Sequence, residues 1–271
     1  MSPSQSPITI RTLQIMKQQS QRISMLTAYD FTMARLLDAA GVDVLLVGDS
    51  LGMVVQGHAT TIPVTLAQMI YHAELVVRGT SRAMVVVDLP FPHGQLGVLK
   101  TLKVAARVMK QTGCQAVKLE GGAEQAETIA ALVNAGIPVI AHVGLRPQSV
   151  HALGGYRVQR DAERLQRDAL AAQSAGAFCV LMECVPRELA KAMTEELTIP
   201  TIGIGAGPDC DGQVLVTHDL LGLTVGRVPK FVRQTAQLGE QMRQAVADYN
   251  QSVRDGSFPN DEESFKSSNT H

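Results

Sequence analysis

Three acidic side chains close apolar runs in a chain of 271 residues. Asp49 ends "VDVLLVGD" (42–49), Asp88 follows the valines of "AMVVVDLP" (83–90), and Glu120 lies in "AVKLEGG" (116–122). Crowded together in a low-dielectric setting, such groups repel one another unless they are protonated or neutralised. A hard divalent cation neutralises them, and an all-oxygen set suits Mg2+ best, with Mn2+ next. Zinc wants more Cys or His ligands, and only His142, in "PVIAHVGL" (138–145), is well placed. Lys118 stands two residues before Glu120, so in a strand both point to one face. Glu183 lies next to the end of "FCVLMEC" (178–184), Ser50 follows Asp49, and Tyr29 and Asp30 end the run that begins "ISMLTAY" (23–29).

The chemistry open to this set is proton removal beside a carbonyl. A Mg2+ at such a site holds a 2-oxo acid by its carbonyl and carboxylate oxygens and stabilises the enolate formed when the adjacent carbon loses a proton. Lys118 adds positive charge near that oxygen. Glu183, from another strand, serves as the base. Ser50 and His142 bind the carboxylate or relay protons. Taken singly, each aspartate also reads as a helix N-cap, His142 as a hydrogen-bonded core histidine, and Lys118 with Glu120 as a structural ion pair. The recurrence of polar groups at successive strand ends is what favours a site.

That recurrence needs a scaffold. Seven short runs rich in Val, Ile and Leu, the last being "PTIGIGAG" (200–207), read as parallel strands buried on both faces. Stretches with helical spacing lie between them, at 31–41, 102–113 and 164–176, and Gly41, Gly113, Gly136 and Gly176 stand where helices stop. Strand and helix alternating in this way make a parallel sheet with helices outside it. We expect a closed (β/α)8 TIM barrel, with "LGLTV" (221–225) as the eighth strand. An open doubly wound sheet is the alternative, but G-x-G-x-x-G after the first strand is missing. In a barrel the carboxyl ends of the strands converge on one mouth, where catalytic groups sit. Residues 1–271 are expected to form this one domain, with a polar tail from about 252 that is loose at its end.

Composition excludes several classes of function. With 45% hydrophobic and 18% charged residues a sizeable core is available, and the net charge of −1 offers no basic field for nucleic acid or an anionic membrane. There is no Trp and little aromatic content for stacking bases. The four cysteines include no C-x-x-C pair, and Cys114, Cys179 and Cys184 lie in or beside apolar runs, as buried free thiols do. The N-terminus shows no signal-peptide pattern, and no run nears the roughly 20 apolar residues of a membrane span. A cytoplasmic location is the expectation.

Several blocks together resemble the ketopantoate hydroxymethyltransferase family. They are "MLTAYD" (25–30), "LLVGDSLGMVVQGHATTIPVT" (45–65), "DLPF" (88–91), "VKLEGG" (117–122), "GGYRVQ" (154–159), "ECVP" (183–186) and "IGIGAG" (202–207). The resemblance runs from about residue 8 to 260. It implies transfer of a hydroxymethyl group from 5,10-methylenetetrahydrofolate to 3-methyl-2-oxobutanoate, giving 2-dehydropantoate on the way to pantothenate and coenzyme A. It further implies a (β/α)8 barrel that assembles as a decamer of two pentamers. By motif match, Asp49 and Asp88 ligate Mg2+, Glu120 joins the same metal shell, Ser50, Asp88 and Lys118 contact the keto acid, Glu183 is the base, and His142 and Tyr29 line the site. The sequence departs from the family pattern after "DLPF", after "GGYRVQ", at Arg146 in "LRPQS" and at Glu263, none of which is among these residues.

Two other readings fit the same residues. One is a folate-independent, Mg2+-dependent 2-oxo-acid aldolase or lyase, which folate-free turnover would reveal. The other is a barrel that binds metal and keto acid without turnover, against which Glu183 opposite a metal argues.

Overall fold

The computed structural model describes residues 6–267. They fall into two compact units, one ending at Thr217 and one beginning at His218. The first unit is built on eight parallel strands that close into a barrel in chain order. These are β1 (Ile23–Thr27), β2 (Val44–Val47), β3 (Met84–Asp88), β4 (Ala116–Glu120), β5 (Val139–Gly144), β6 (Cys179–Glu183), β7 (Thr201–Ile204) and β8 (Gly212–Leu215). Closure is made by β8 against β1, with Ile23 opposite Gly212 and Leu26 opposite Leu215.

The eighth strand is therefore not "LGLTV" (221–225), which forms a turn and coil. The closing strand is Gly212–Leu215, whose sequence GQVL carries too few apolar residues to read as a buried run. Its glycine has a steric reason. A Cβ at Gly212 would stand 2.5 Å from the Ile23 carbonyl oxygen and from Ile202 Cδ1, so only glycine lets β8 fit between β7 and β1.

One helix precedes β1 and the others follow strands. They are α1 (Ile10–Gln18), α2 (Phe31–Ala39), α3 (Leu51–Val54), α4 (Leu66–Gly79), α5 (Val98–Thr112), α6 (Ala126–Asn134), α7 (Ala162–Ser174), α8 (Arg187–Glu196), α9 (Thr217–Leu220) and α10 (Leu238–Asp255). Local chemistry starts and stops them. Asp30 caps α2 by accepting the Met33 N–H, Thr65 makes a capping box with Gln68 on α4, and Asp161 caps α7, each worth about 1 kcal/mol. Gly113, at φ +77°, ends α5 in the left-handed region that glycine tolerates. In the second unit α10 has no buried residue and runs to Asp255, so the segment from 252 begins inside a helix.

Two apolar clusters hold the first unit together. One lies between strands and helices, and includes Leu45, Val85, Val87, Leu119, Ile129 and Leu132. The other fills the barrel with Met25, Leu46, Val86, Ile140, Leu181 and Val214. Leu13 of α1 joins this inner cluster, and Lys17 Nζ fixes α1 by bonding Asp211 Oδ2 at 2.7 Å and the Thr194 carbonyl at 3.0 Å. Cys114, Cys179 and Cys210 are buried free thiols, whereas Cys184 is half-buried. Among the described residues no helix is long and apolar enough to cross a membrane.

Candidate active site

The period of two along a strand places the charged groups. Met84 and Val86 face the barrel interior, so Asp88 does too. Ala116 does the same for Lys118 and Glu120, Ile140 for His142, and Cys179 with Leu181 for Glu183. Each interior row is apolar toward the amino end of the strands and polar at the carboxyl end. Asp49 lies just beyond β2. Asp49, Asp88, Lys118, Glu120 and His142 are all at most 4% exposed.

The groups interlock. Lys118 Nζ lies 2.7 Å from Asp88 Oδ1 and 3.0 Å from His142 Nδ1. An ammonium group only donates, so His142 Nδ1 accepts and the imidazole proton sits on Nε2. That nitrogen faces Glu183 Oε2 at 3.3 Å. Asp88 Oδ2 accepts the Asp49 N–H at 3.0 Å. Ser50 stands at the N-cap position of α3 without capping it; its hydroxyl instead pairs with the Tyr29 hydroxyl at 2.8 Å. Gly48 makes room, since a Cβ there would stand 2.9 Å from Ser50 Oγ and 3.5 Å from Asp88 Oδ2. The structure thus brings all eight sequence-derived residues to one end of the barrel. Lys118 and Glu120 share the interior as expected, with the short ion pair of Lys118 made to Asp88.

Burial and like charges set the electrostatics. Burial, then the Asp88 charge, pushes the Asp49 carboxyl up to about 7. Glu120 is driven well above the usual carboxylate range by burial and by Asp49. Burial pushes Glu183 up to about 7. His142 is held well below its ordinary value by burial and by the Lys118 charge, so it is neutral. Burial opposes the charge on Lys118, but Asp88, Glu120 and Asp49 outweigh it and raise its affinity for the proton. Burial also raises Tyr29. One cation among four carboxylates leaves an excess of buried negative charge.

The end of β5 holds the backbone of Glu183. The Leu145 N–H donates to its carbonyl at 2.8 Å, and a Cβ at Gly144 would stand 2.3 Å from that oxygen, so Gly144 lets the end of β5 approach. Cys184, at φ +50°, turns the chain sharply after Glu183, a strained conformation of the kind found at functional sites.

Two residues here escaped the sequence reading. Gln148, on the 3-10 turn Pro147–Ser149, donates from Nε2 to Asp49 Oδ2 at 2.8 Å and to the Leu89 carbonyl at 2.9 Å. Its N–H donates to Glu120 Oε2 at 3.1 Å. A glutamine in a loop carries no periodic signal. Tyr156 lies close enough for Glu183, Asp49 and Glu120, after burial, to raise its hydroxyl pKa, and that hydroxyl points at Met53 Sδ, 3.6 Å away. The segment "GGYRVQ" was the signal for it. Its Gln159 N–H is tied to the Cys184 carbonyl at 2.9 Å. Arg146 forms an ion pair with Glu124.

An all-oxygen anionic set beside a neutral histidine and a glutamate near 7 can bind a hard cation and move a proton. Among the described residues no three acidic, His or Cys side chains already converge as a metal cage. Lys118 and Gln148 instead engage Asp88 and Asp49.

A closed (β/α)8 barrel with an acid–base cluster at the carboxyl ends of its strands has the build of a barrel enzyme. The family model described as ketopantoate hydroxymethyltransferase matches residues 7–261. A 3-methyl-2-oxobutanoate hydroxymethyltransferase of Rhodopirellula baltica is 64% identical over 261 residues, which cover 96% of this chain and 97% of the relative. One from Desulforapulum autotrophicum is 54% identical over 262 residues, covering 97% and 100%. The chain belongs to the ketopantoate hydroxymethyltransferase family. Among solved structures it resembles phosphonopyruvate hydrolase in complex with oxalate and Mg++, with a TM-score of 0.62 at 14% identity, covering 94% of this chain and 92% of that one. A 2,3-dimethylmalate lyase of the PEP mutase/isocitrate lyase superfamily gives 0.59 at 20% identity, covering 94% and 91%. These two likenesses are of fold.

Proposed function

We propose that the chain transfers a hydroxymethyl group from 5,10-methylenetetrahydrofolate to 3-methyl-2-oxobutanoate, giving 2-dehydropantoate in pantothenate biosynthesis. The activity follows from the family and from relatives of that name at 64% and 54% identity. The observation that carries the mechanism is Glu183, a largely enclosed carboxyl raised to about 7 by burial and set 3.3 Å from a neutral His142. A base with a pKa near the working pH balances availability against strength.

A divalent cation fits the donor chemistry, because Asp49, Asp88 and Glu120 are buried oxygen donors with too little positive charge nearby. Asp49 and Asp88 would hold it, with Glu120 in the same shell, and Mg2+ is the ion this chemistry favours. When bound, the cation supplies a Lewis acid that polarises the 2-oxo group and makes the C3 proton acidic. Lys118 adds a fixed positive charge toward the oxygen that gains electron density. Glu183 takes the C3 proton, with the neutral His142 Nε2 standing 3.3 Å from that carboxylate. Ser50 and Tyr29 bind the acid end of the substrate. The C3 carbon then attacks the methylene carbon of the folate, both C–N bonds of that carbon break with their electron pairs going to nitrogen, water supplies the new hydroxyl, and tetrahydrofolate leaves carrying the C3 proton and one proton from the water.

The same reading carries a homodecamer of two pentamers and a cytoplasmic location, both on family resemblance; sedimentation velocity tests the first. The activity itself is tested by supplying 3-methyl-2-oxobutanoate and Mg2+ with and without 5,10-methylenetetrahydrofolate. Product formed only with the folate supports the proposal. Consumption of the keto acid without it points to an aldolase or lyase instead.

A further inference from the structure

We infer that Gln148 is a positioning residue that sets Asp49 and Glu120 for the divalent cation, an inference that rests on reading those two as metal-holding groups. The carboxamide has only one workable orientation. Its nitrogen faces two acceptors, Asp49 Oδ2 at 2.8 Å and the Leu89 carbonyl at 2.9 Å, and a flipped amide would set oxygen against both. The backbone N–H of the same residue reaches Glu120 at 3.1 Å. Gln148 thus ties together groups at the ends of β2, β3 and β4, and it is 5% exposed. Pro147 opens its turn, and the neighbouring Arg146 is anchored to Glu124, so the side chain hangs from a fixed point.

A neutral donor suits this place. It engages one oxygen of Asp49 and leaves the other for ligation, and it adds no charge to a set already rich in carboxylates. Groups that orient metal ligands from behind commonly change metal affinity by about 10–100-fold when removed. Gln148 Oε1 is buried and has no hydrogen-bond partner among the described residues. A buried acceptor left in that state costs free energy, and a water or hydroxyl held at the site would satisfy it.

The test measures Mn2+ binding by EPR, with Mg2+ by competition, on the full chain and on Gln148→Leu, Gln148→Ala and Asp49→Ala. Partial unfolding lowers apparent affinity only by the folded fraction, so circular dichroism of each variant without metal separates that effect, and two Gln148 variants guard against one that fails to fold. The expected result is metal binding weakened about 10–100-fold in both Gln148 variants and abolished in Asp49→Ala. Parent-like affinity in the Gln148 variants alongside a loss in Asp49→Ala would overturn the role of Gln148 and leave the metal site standing. Parent-like affinity in Asp49→Ala would overturn the metal site itself, and the inference with it.

Discussion

Replacing Glu183 by Gln is expected to stabilise the metal-free protein at alkaline pH while removing its proposed base. Burial holds this carboxyl at about 7, against 4.5 for an ordinary glutamate. The folded chain therefore binds the proton more tightly than the unfolded chain does. The protonated group favours the fold fully below about pH 4.5, and that advantage is lost as the pH rises through about 7. At about 1.36 kcal/mol per pH unit, the loss is on the order of 3 kcal/mol. Glutamine resembles the protonated carboxyl at every pH. Glu183→Gln should then exceed the parent by about 3 kcal/mol at pH 8, and by less than about 1 kcal/mol at pH 5. For a chain of this size that is roughly 6–12 °C in Tm at the higher pH. The assay is denaturant or thermal unfolding of both proteins with EDTA at the two pH values. Equal stability at pH 8, or a gain that does not change with pH, would refute the claim that Glu183 is held near 7 by burial.

Four further outcomes follow from the geometry. Asp49→Ala and Asp88→Ala should each lose metal-dependent turnover; normal Mg2+ affinity in either, read by calorimetry, would remove that residue from the metal site. Metal binding requires the ionised carboxylate, and Asp49 sits at about 7 without metal, so Mn2+ affinity should fall as the pH drops below 7; a flat EPR titration from pH 5 to 8 contradicts this. Asp38 accepts the N–H groups of Ser81, Arg82 and Ala83 and the Ser81 hydroxyl at 2.7–3.3 Å, so Asp38→Ala, by stranding these donors, should cost more than about 3 kcal/mol in urea unfolding, and parent-like stability would show that water replaces the carboxylate. Gly212→Ala should destabilise barrel closure by at least about 1–3 kcal/mol, and an unchanged midpoint would mean that β8 moves aside freely.

Much of the site was legible because strand chemistry is regular. Apolar runs that end in a charged residue mark a carboxyl-end mouth once parallel strands are inferred, and period two puts Lys118 and Glu120 on one inner face. What the pattern could not supply was pairing. That Lys118 reaches Asp88 and His142 depends on the registers of β3, β4 and β5, which set Asp88 beside Lys118 and Glu120 beside His142. Gln148 acts through a turn with no repeat to reveal it. The closing strand was missed for a related reason. Gly212 and Gln213 interrupt the apolar run, and the glycine is there for a close approach to β1 rather than for a turn. "LGLTV" offers more apolar residues but lies in a turn and coil, half-buried apart from the exposed Val225.

In the proposed reaction Glu183 removes the C3 proton of a 2-oxo acid, and that step can be observed alone. Proton NMR of 3-methyl-2-oxobutanoate with the protein and Mg2+ in heavy water tests it without the chemistry of the folate. The expected result is exchange of the C3 hydrogen that stops on chelation and is lost in Glu183→Gln, while the keto acid still binds. Undiminished exchange in Glu183→Gln would contradict it and move the base elsewhere, with Lys118 the next candidate.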